Sequence, residues 1–313
     1  MTNITLEPNG KPLGPKVLGL DLGQEVPEAD FAEVQRLYEE YGVIVIPGQD
    51  ISPQDLIRFS KRFSELVRFP MVQFNLPEEP DILVVSNVIE DGKPIGVGDA
   101  GRCWHTDMWY TDNPPRGSLL HAREVPVKDG RALGDTMFAS TAHAYDTLPA
   151  DLKKLVNGRS ATFSHDFHAE WRAAKAAEQA DDKSAARKTR SATSIPDIKH
   201  PLVKTHPVTG RDCLYVSEGA IVGVDGMEHA EAMALVDELL AHVTREEAVY
   251  RHNWKVGDLV MWDNYSCLHC AIADFPSSMR RRTGGLSNQI NMKESGQRCR
   301  GGAGQSIYSV QNG

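Results

Sequence analysis

The sequence predicts a mainly β fold, a jelly roll or β-sandwich carrying a layer of helices, and three observations predict it. Short apolar runs rich in β-branched residues and bounded by Gly or Pro recur along the chain, the mark of many short strands. Helical periodicity gathers near the N-terminus and in one late segment. No GxGxxG follows a strand and helices do not alternate with strands, which excludes a doubly wound nucleotide fold. With 313 residues the chain is long enough for one large β domain, so a single domain over 1–313 is expected.

Element by element, residues 16–21 (KVLGLD) read as a short strand. Residues 27–41 begin with Pro27 and place Phe31, Val34, Leu37 and Tyr38 at helical spacing. GVIVIPG at 42–48 is a β-branched run between glycines, a buried strand. Ser52-Pro53 opens a second helix whose apolar side is Leu56, Ile57, Phe59 and Phe63. Strands are expected at 82–88, 118–125 and 134–138, then at 201–205 and 213–216. Residues 228–243 form an amphipathic helix with Met233, Leu235, Val236, Leu239, Leu240 and Val243 on its apolar side. VGDLVMWDN at 256–264 is a strand entering a turn. The segment 168–195 is rich in Ala and charge and poor in large apolar residues after Trp171. It reads as a solvated helix with a mobile linker, or as disorder, a charged insertion near 165–198.

A net charge of −9 argues against nucleic acid or an anionic membrane as partner, since phosphate binding needs clustered Lys and Arg. Of the five cysteines, Cys267 and Cys270 make one CxxC and no second pair completes a zinc site. A reduced, cytoplasmic chain is the simplest reading. The N-terminal stretch has neither the basic nor the apolar region of a signal peptide. No apolar run reaches the roughly 18 residues of a membrane helix.

The chemistry gathers around Trp104-His105-Thr106-Asp107. In a strand, His105 and Asp107 would face the same side and share an ion. The best third ligand is His269, far downstream and just past Val260-Met261-Trp262-Asp263-Asn264. Two His and one carboxylate on one face of a metal leave three positions open, as non-haem Fe(II) oxygenases require. Arg280, eleven residues after His269, offers a bidentate partner for a carboxylate. Thr136, in Gly134-Asp135-Thr136, offers a hydroxyl to the same carboxylate. Met108 and Arg102 are candidate substrate contacts, one beside Asp107 and the other three residues before His105. Cys103 and Cys270 read as small buried residues. His206, in a Thr-His-Pro turn, reads as structural.

The chain resembles the taurine dioxygenase / 2,4-dichlorophenoxyacetate dioxygenase family. The shared stretches are Pro12-Leu13-Gly14, GVIVIPG at 42–48, Trp104-His105-Thr106-Asp107, PPRGS at 114–118 and Gly134-Asp135-Thr136. HPLV at 200–203, Thr205-His206-Pro207, Thr209-Gly210-Arg211, Leu214-Tyr215-Val216 and Trp262-Asp263-Asn264 follow in family order. The resemblance implies a double-stranded β-helix core with flanking helices, and Fe(II) with 2-oxoglutarate and O₂ as cosubstrates. It implies iron ligation by His105, Asp107 and His269, and 2-oxoglutarate binding by Thr136 and Arg280. It implies a small-molecule substrate and is compatible with a homo-oligomer.

Three departures stand out. The family's second Arg, four residues after the first, is here Gly284, within RRRTGG at 280–285. Arg281 or Arg282 could replace it if a bulge shifts the register, although strand alternation points Arg281 away. The Gly-Gly before Asp-Thr is Leu133-Gly134, and the charged segment falls where the family carries a variable lid. The expected reaction is oxidation, by default hydroxylation, of a small organic substrate with release of succinate and CO₂. The alternatives are a sulfonate or aryloxyalkanoate dioxygenase that cleaves after hydroxylation, a zinc hydrolase on the same ligands, and a non-catalytic metal-containing jelly-roll binding protein. The hydrolase lacks a Glu base beside the HxD and leaves Arg280 unexplained.

Overall fold

The computed structural model describes residues 2–69, 71–98, 100–179, 195–276, 278–284 and 289–290. Its largest sheet runs, in spatial order, through Thr5–Glu7, Lys16–Leu18, Val43–Ile46, Leu259–Asp263, Gly117–Glu124, Arg282–Gly284 and Val85–Ser86. Gln289–Ile290 adds to the Gly117–Glu124 strand and to Leu66–Val67. A second sheet orders Val249–His252, Thr136–Ser140 and Cys267–Ala271. A third orders Ile198–Pro201, Ser160–Phe163 and Ile221–Val224.

The continuous apolar run 43–46 follows from burial on both faces. Ile44 and Ile46 pack with Phe31, Leu37, Phe59 and Phe63 of the helical layer. Their neighbours Val43 and Val45 point the other way, to Phe138 and Trp254. Leu259–Asp263 alternates in the same manner, Met261 toward the helices and Val260 and Trp262 toward the second sheet. That alternation puts the Trp262 ring 4.9 Å from the His269 ring.

Helix α1 spans Glu28–Tyr41 and ends at Gly42, whose φ of 67° is the left-handed cap that glycine accepts. Helix α2 spans Pro53–Lys61, with Pro53 in its first turn and Ser52 and Asp55 exchanging the hydrogen bonds of a capping box. Helices α3 (Thr141–Thr147), α4 (Ala150–Val156), α5 (His165–Gln179) and α6 (His229–Val243) complete the set among the described residues. Leu235, Val236, Leu239 and Val243 of α6 share a core with Phe163, Leu202 and Leu214.

Several expectations change. The run 82–88 breaks into Glu79–Leu83 and Val85–Ser86, and the late strand begins only at Leu259. Helices α3 and α4 and the Ser160–Phe163, Ile221–Val224, Val249–His252 and Cys267–Ala271 strands carry no usable sequence signal. Cys267–Ala271 reads CLHCA, with no β-branched residue to mark it. The segment expected to be solvated begins as a docked helix: His168 Nδ1 lies 3.3 Å from the Gly219 carbonyl, and the Trp171 ring lies over Gly219. Residues 180–194 of that segment, and Cys299, lie outside the described residues. Among the described residues no helix is long and apolar enough to cross a membrane.

Candidate metal centre

His269 sits on the Cys267–Ala271 strand, in the interior beside Phe138 and Trp262. His105 is not on a strand. A single antiparallel bridge joins it to His269, His105 N donating to His269 O at 3.1 Å and His269 N to His105 O at 2.9 Å. Asp107 follows in a turn. The pair therefore meets through a bridge and a turn rather than through strand alternation. Met108 next to it has φ 49°, a left-handed conformation uncommon for a non-glycine residue.

The three side chains converge, with donor atoms all within 4.8 Å of one another. Asp107 Oδ1 lies 3.8 Å from His105 Nε2 and 3.6 Å from His269 Nε2. Those separations are too long for hydrogen bonds but within reach of one ion making bonds of about 2.1 Å to each. His105 Nδ1 lies 2.8 Å from Cys103 O and 3.1 Å from His269 O. Both are acceptors, so Nδ1 carries the proton and Nε2 presents its lone pair toward Asp107, the state a metal ligand needs. His269 Nδ1 is buried without a hydrogen-bond partner. Burial, then the nearby His105, holds the His269 imidazolium well below its ordinary range, so the ring is neutral. Burial also raises the Asp107 carboxyl, against the lowering by His105, by the hydrogen bond from Ser118 and by the nearby Trp262 indole. Two imidazoles and a carboxylate converging in this way fit a divalent ion.

A cleft is lined by neighbours of these residues in the chain, Ala271 two residues past His269 and Arg102 three before His105, though by none of the three themselves. Arg281, Arg102, Phe275, Asn87 and Ala271 are among its walls. A Cβ at Gly101 would stand 3.1 Å from the His105 ring, so glycine there lets the loop lie against the ligand. Arg281 is held by its backbone: its N–H donates to Asn87 Oδ1 at 2.8 Å and its carbonyl accepts from Ser86 Oγ at 2.8 Å. Loss of solvent, then the charge of Arg102, pushes its guanidinium down to about 10.

Arg280 is not brought to this cleft. Its side chain is 57% exposed and pairs with Glu124 at 3.1 Å. The reason is plain alternation counted back from Thr283, the register irregularity falling on the partner strand. Gly117–Glu124 pairs Ala122 with Thr283 but Glu124 with Arg282. Thr283 is buried and donates to Val85 O, and Arg281, two residues before it, shares its inward direction. Alternation that takes Arg280 as the inward residue therefore does not hold here. Thr136 is buried one strand from His269, paired with Ala271. Its Oγ1 accepts from Trp254 Nε1 at 3.0 Å, so its own proton remains available, but it is not on the wall of the Arg281 cleft. Arg102 is exposed at that wall, with no ion pair among the described residues. Met108 is not on that wall. Cys103 and Cys270 are buried free thiols, raised by burial to about 11 and about 12. His206 is structural, as expected, at 3.0 Å from Asp263.

Sequence reading also misses Ser118 and Asn264, which surround Asp107. Their only signal is membership of the shared stretches PPRGS and Trp262-Asp263-Asn264.

Comparison with known proteins agrees with this geometry. The profile of the family "Taurine catabolism dioxygenase TauD, TfdA family" matches residues 6–285. An alpha-ketoglutarate-dependent 2,4-dichlorophenoxyacetate dioxygenase of Cupriavidus pinatubonensis is 35% identical over 263 residues, 80% of this chain and 85% of that protein. A crystal structure of a putative alpha-ketoglutarate-dependent taurine dioxygenase from Burkholderia xenovorans superposes with a TM-score of 0.71 at 26% identity, covering 90% of each chain. The structure of AAD-2 in complex with Mn(II) and N-oxalylglycine gives 0.69 at 26% identity, covering 93% of this chain and 99% of that one. The fold is the mixed, mostly sheet architecture of these dioxygenases, and with its His-Asp-His cluster the chain belongs to the TauD, TfdA family of dioxygenases.

Proposed function

We propose that this oxidoreductase holds Fe(II) with His105, Asp107 and His269, takes the far carboxylate of 2-oxoglutarate on Arg281, and oxidises a small carboxylate-bearing substrate. The observation that carries the reading is the desolvated Arg281 in a cleft whose wall includes Ala271, two residues past His269 on the same strand. When bound, the iron supplies the redox chemistry that couples decarboxylation of 2-oxoglutarate to oxidation of the substrate by O₂. The chain's own residues supply orientation and charge. Arg281 offers two parallel N–H donors to a carboxylate, and its desolvation strengthens that pairing. N-Oxalylglycine, bound by AAD-2, has the two carboxylates of 2-oxoglutarate, which supports an anchor of this kind. Thr136 keeps a donor role to the cosubstrate within this reading.

The cleft is tight, about 10 Å³ of free volume, room for roughly one water. A five-carbon diacid therefore enters only as Arg281, Arg102 or Phe275 swings aside. Arg102 at the mouth is the second cation, suited to a substrate carboxylate. The substrate of the Cupriavidus relative, by its name, is an aryloxyacetate, so aryloxyalkanoic acids are the first compounds to offer. A sulfonate is a weaker reading, because four residues on from Arg281 stands Gly285, as Gly284 stands four on from Arg280. Within this reading the chain is a single domain over 1–313 built on a double-stranded β-helix, with an insertion near 165–198. It is a cytoplasmic enzyme, which its buried free thiols suit, and a homo-oligomer.

Arginine replacement tests the anchor. Arg281→Ala should raise the 2-oxoglutarate needed for half-maximal succinate formation by roughly thirtyfold or more, the loss of one partner of a desolvated charge pair. Arg280→Ala should move it by less than about twofold, as for an exposed pair. The reverse pattern returns the anchor to Arg280.

A further inference from the structure

The two carboxylate oxygens of Asp107 face different partners, and this bears on how many positions a bound metal keeps free. Oδ1 faces both imidazoles. Oδ2 accepts a hydrogen bond from Ser118 Oγ at 2.6 Å. Ser118 is fully buried on the Gly117–Glu124 strand, opposite Trp262.

The direction of the Ser118 proton can be worked out from Asn264. One side-chain atom of Asn264 takes the Trp262 indole N–H at 3.1 Å and the Asp107 backbone N–H at 3.3 Å. Both of those groups can only donate, so that atom is the amide oxygen. The other is therefore the NH₂. It donates to Pro115 O at 3.2 Å and to Ser118 Oγ at 3.0 Å. Ser118 Oγ is thus an acceptor toward Asn264, which leaves its single proton for Asp107. A turned amide would set its NH₂ against the two donors at Trp262 and Asp107, and the backbone of Asn264 is itself held in place. Its backbone carbonyl accepts from Thr106 Oγ1 at 2.6 Å and its backbone N–H donates to Arg116 O at 2.6 Å.

We propose that Ser118, oriented by Asn264, is a positioning residue that restricts Asp107 to binding the metal through Oδ1 alone. The inference rests on the three-ligand reading above. A carboxylate free to bind through both oxygens would occupy a fourth position on the ion. Restricted to one, it leaves three positions, two for the chelating end of 2-oxoglutarate and one for O₂. The charge-assisted hydrogen bond also occupies the lone pair that the second metal bond would need.

Cobalt(II), which reports its coordination number in the visible spectrum, supplies the test under anaerobic conditions. Wild type, Ser118→Ala, Ser118→Cys and His105→Ala are loaded with Co(II) and then titrated with 2-oxoglutarate. Ser118→Ala should bind Co(II) with a shifted ligand-field band, as expected when a carboxylate oxygen takes the place of a solvent ligand. It should take up 2-oxoglutarate about tenfold more weakly, as loss of an outer hydrogen bond to a metal ligand does. Ser118→Cys, close in shape with a weaker donor, should fall between, and it decides the matter if Ser118→Ala does not fold. Superimposable spectra, with 2-oxoglutarate affinities within about twofold of wild type, overturn the proposal and leave the three-ligand reading standing. A wild type that takes up no Co(II), or takes it up as His105→Ala does, removes the three-ligand reading itself.

Discussion

Two buried His–Asp clusters lie within a few residues of each other in sequence, at Asp263 and at His269, and they are built to opposite ends. Asp263 is 1% exposed and accepts five hydrogen-bond donors. Oδ1 takes the Tyr265 and Ser266 N–H groups at 2.9 and 3.0 Å and Ser266 Oγ at 3.2 Å. Oδ2 takes Arg116 Nε at 3.1 Å and His206 Nε2 at 3.0 Å. At Asp107, one oxygen accepts from Ser118 at 2.6 Å, while the imidazole neighbours of the other stand at 3.6 and 3.8 Å. The carboxyls shift accordingly. Asp263 is held below its ordinary range because hydrogen bonds and charges from His206 and Arg116 outweigh its burial, whereas burial dominates at Asp107 and raises it. A buried polar group normally finds partners. A cluster that converges without satisfying itself keeps its lone pairs for something else.

The contrast can be broken most sharply at His105. His105→Ala should cut Fe(II)-dependent succinate formation by more than about a hundredfold, beyond what loss of an outer-shell partner costs. It should lower the stability of the metal-free protein less than the Asp263 change does. Succinate assays beside urea denaturation check both halves, and an active His105→Ala variant would make the two clusters equivalent.

Asp263→Asn should show the opposite balance. It leaves Arg116, 4% exposed, without its buried counter-charge, at a cost of about 3–5 kcal/mol in urea denaturation. A loss under about 1 kcal/mol would deny that this cluster is structural.

The smallest effect is a pH dependence. The folded Asp263 carboxyl titrates below the ordinary 3.8, so the folded state binds fewer protons there than the unfolded state. Its stabilisation is complete above that value and is lost as pH falls through the lowered folded value. The stability gap between wild type and Asp263→Asn should therefore be flat above about pH 5 and close as pH falls below about 4. A gap that widened on acidification would contradict the sign.

Much of the site is legible in the order of residues alone. His105, Asp107 and His269 stand out by residue type, and they converge. His206 reads as structural from its turn and proves to be so. The helices α1, α2 and α6 follow from apolar spacing and capping residues, which act locally. What fails is register. Among Arg280, Arg281 and Arg282 the chemistry is the same, and only the burial of Thr283 shows which guanidinium turns inward. Ser118 and Asn264 escape notice for a related reason. A Ser and an Asn carry no chemical signal until a carboxylate stands beside them.

The sequence by itself determined the donor set, the helical layer and the kind of chemistry, because these depend on residue identity and on spacings of a few positions. The tertiary structure alone decided which arginine faces the cleft, how His105 meets His269 across one bridge, and which oxygen of Asp107 is left free. Each of those depends on pairing between strands remote in the chain, where a shift of one residue reverses the direction of every side chain.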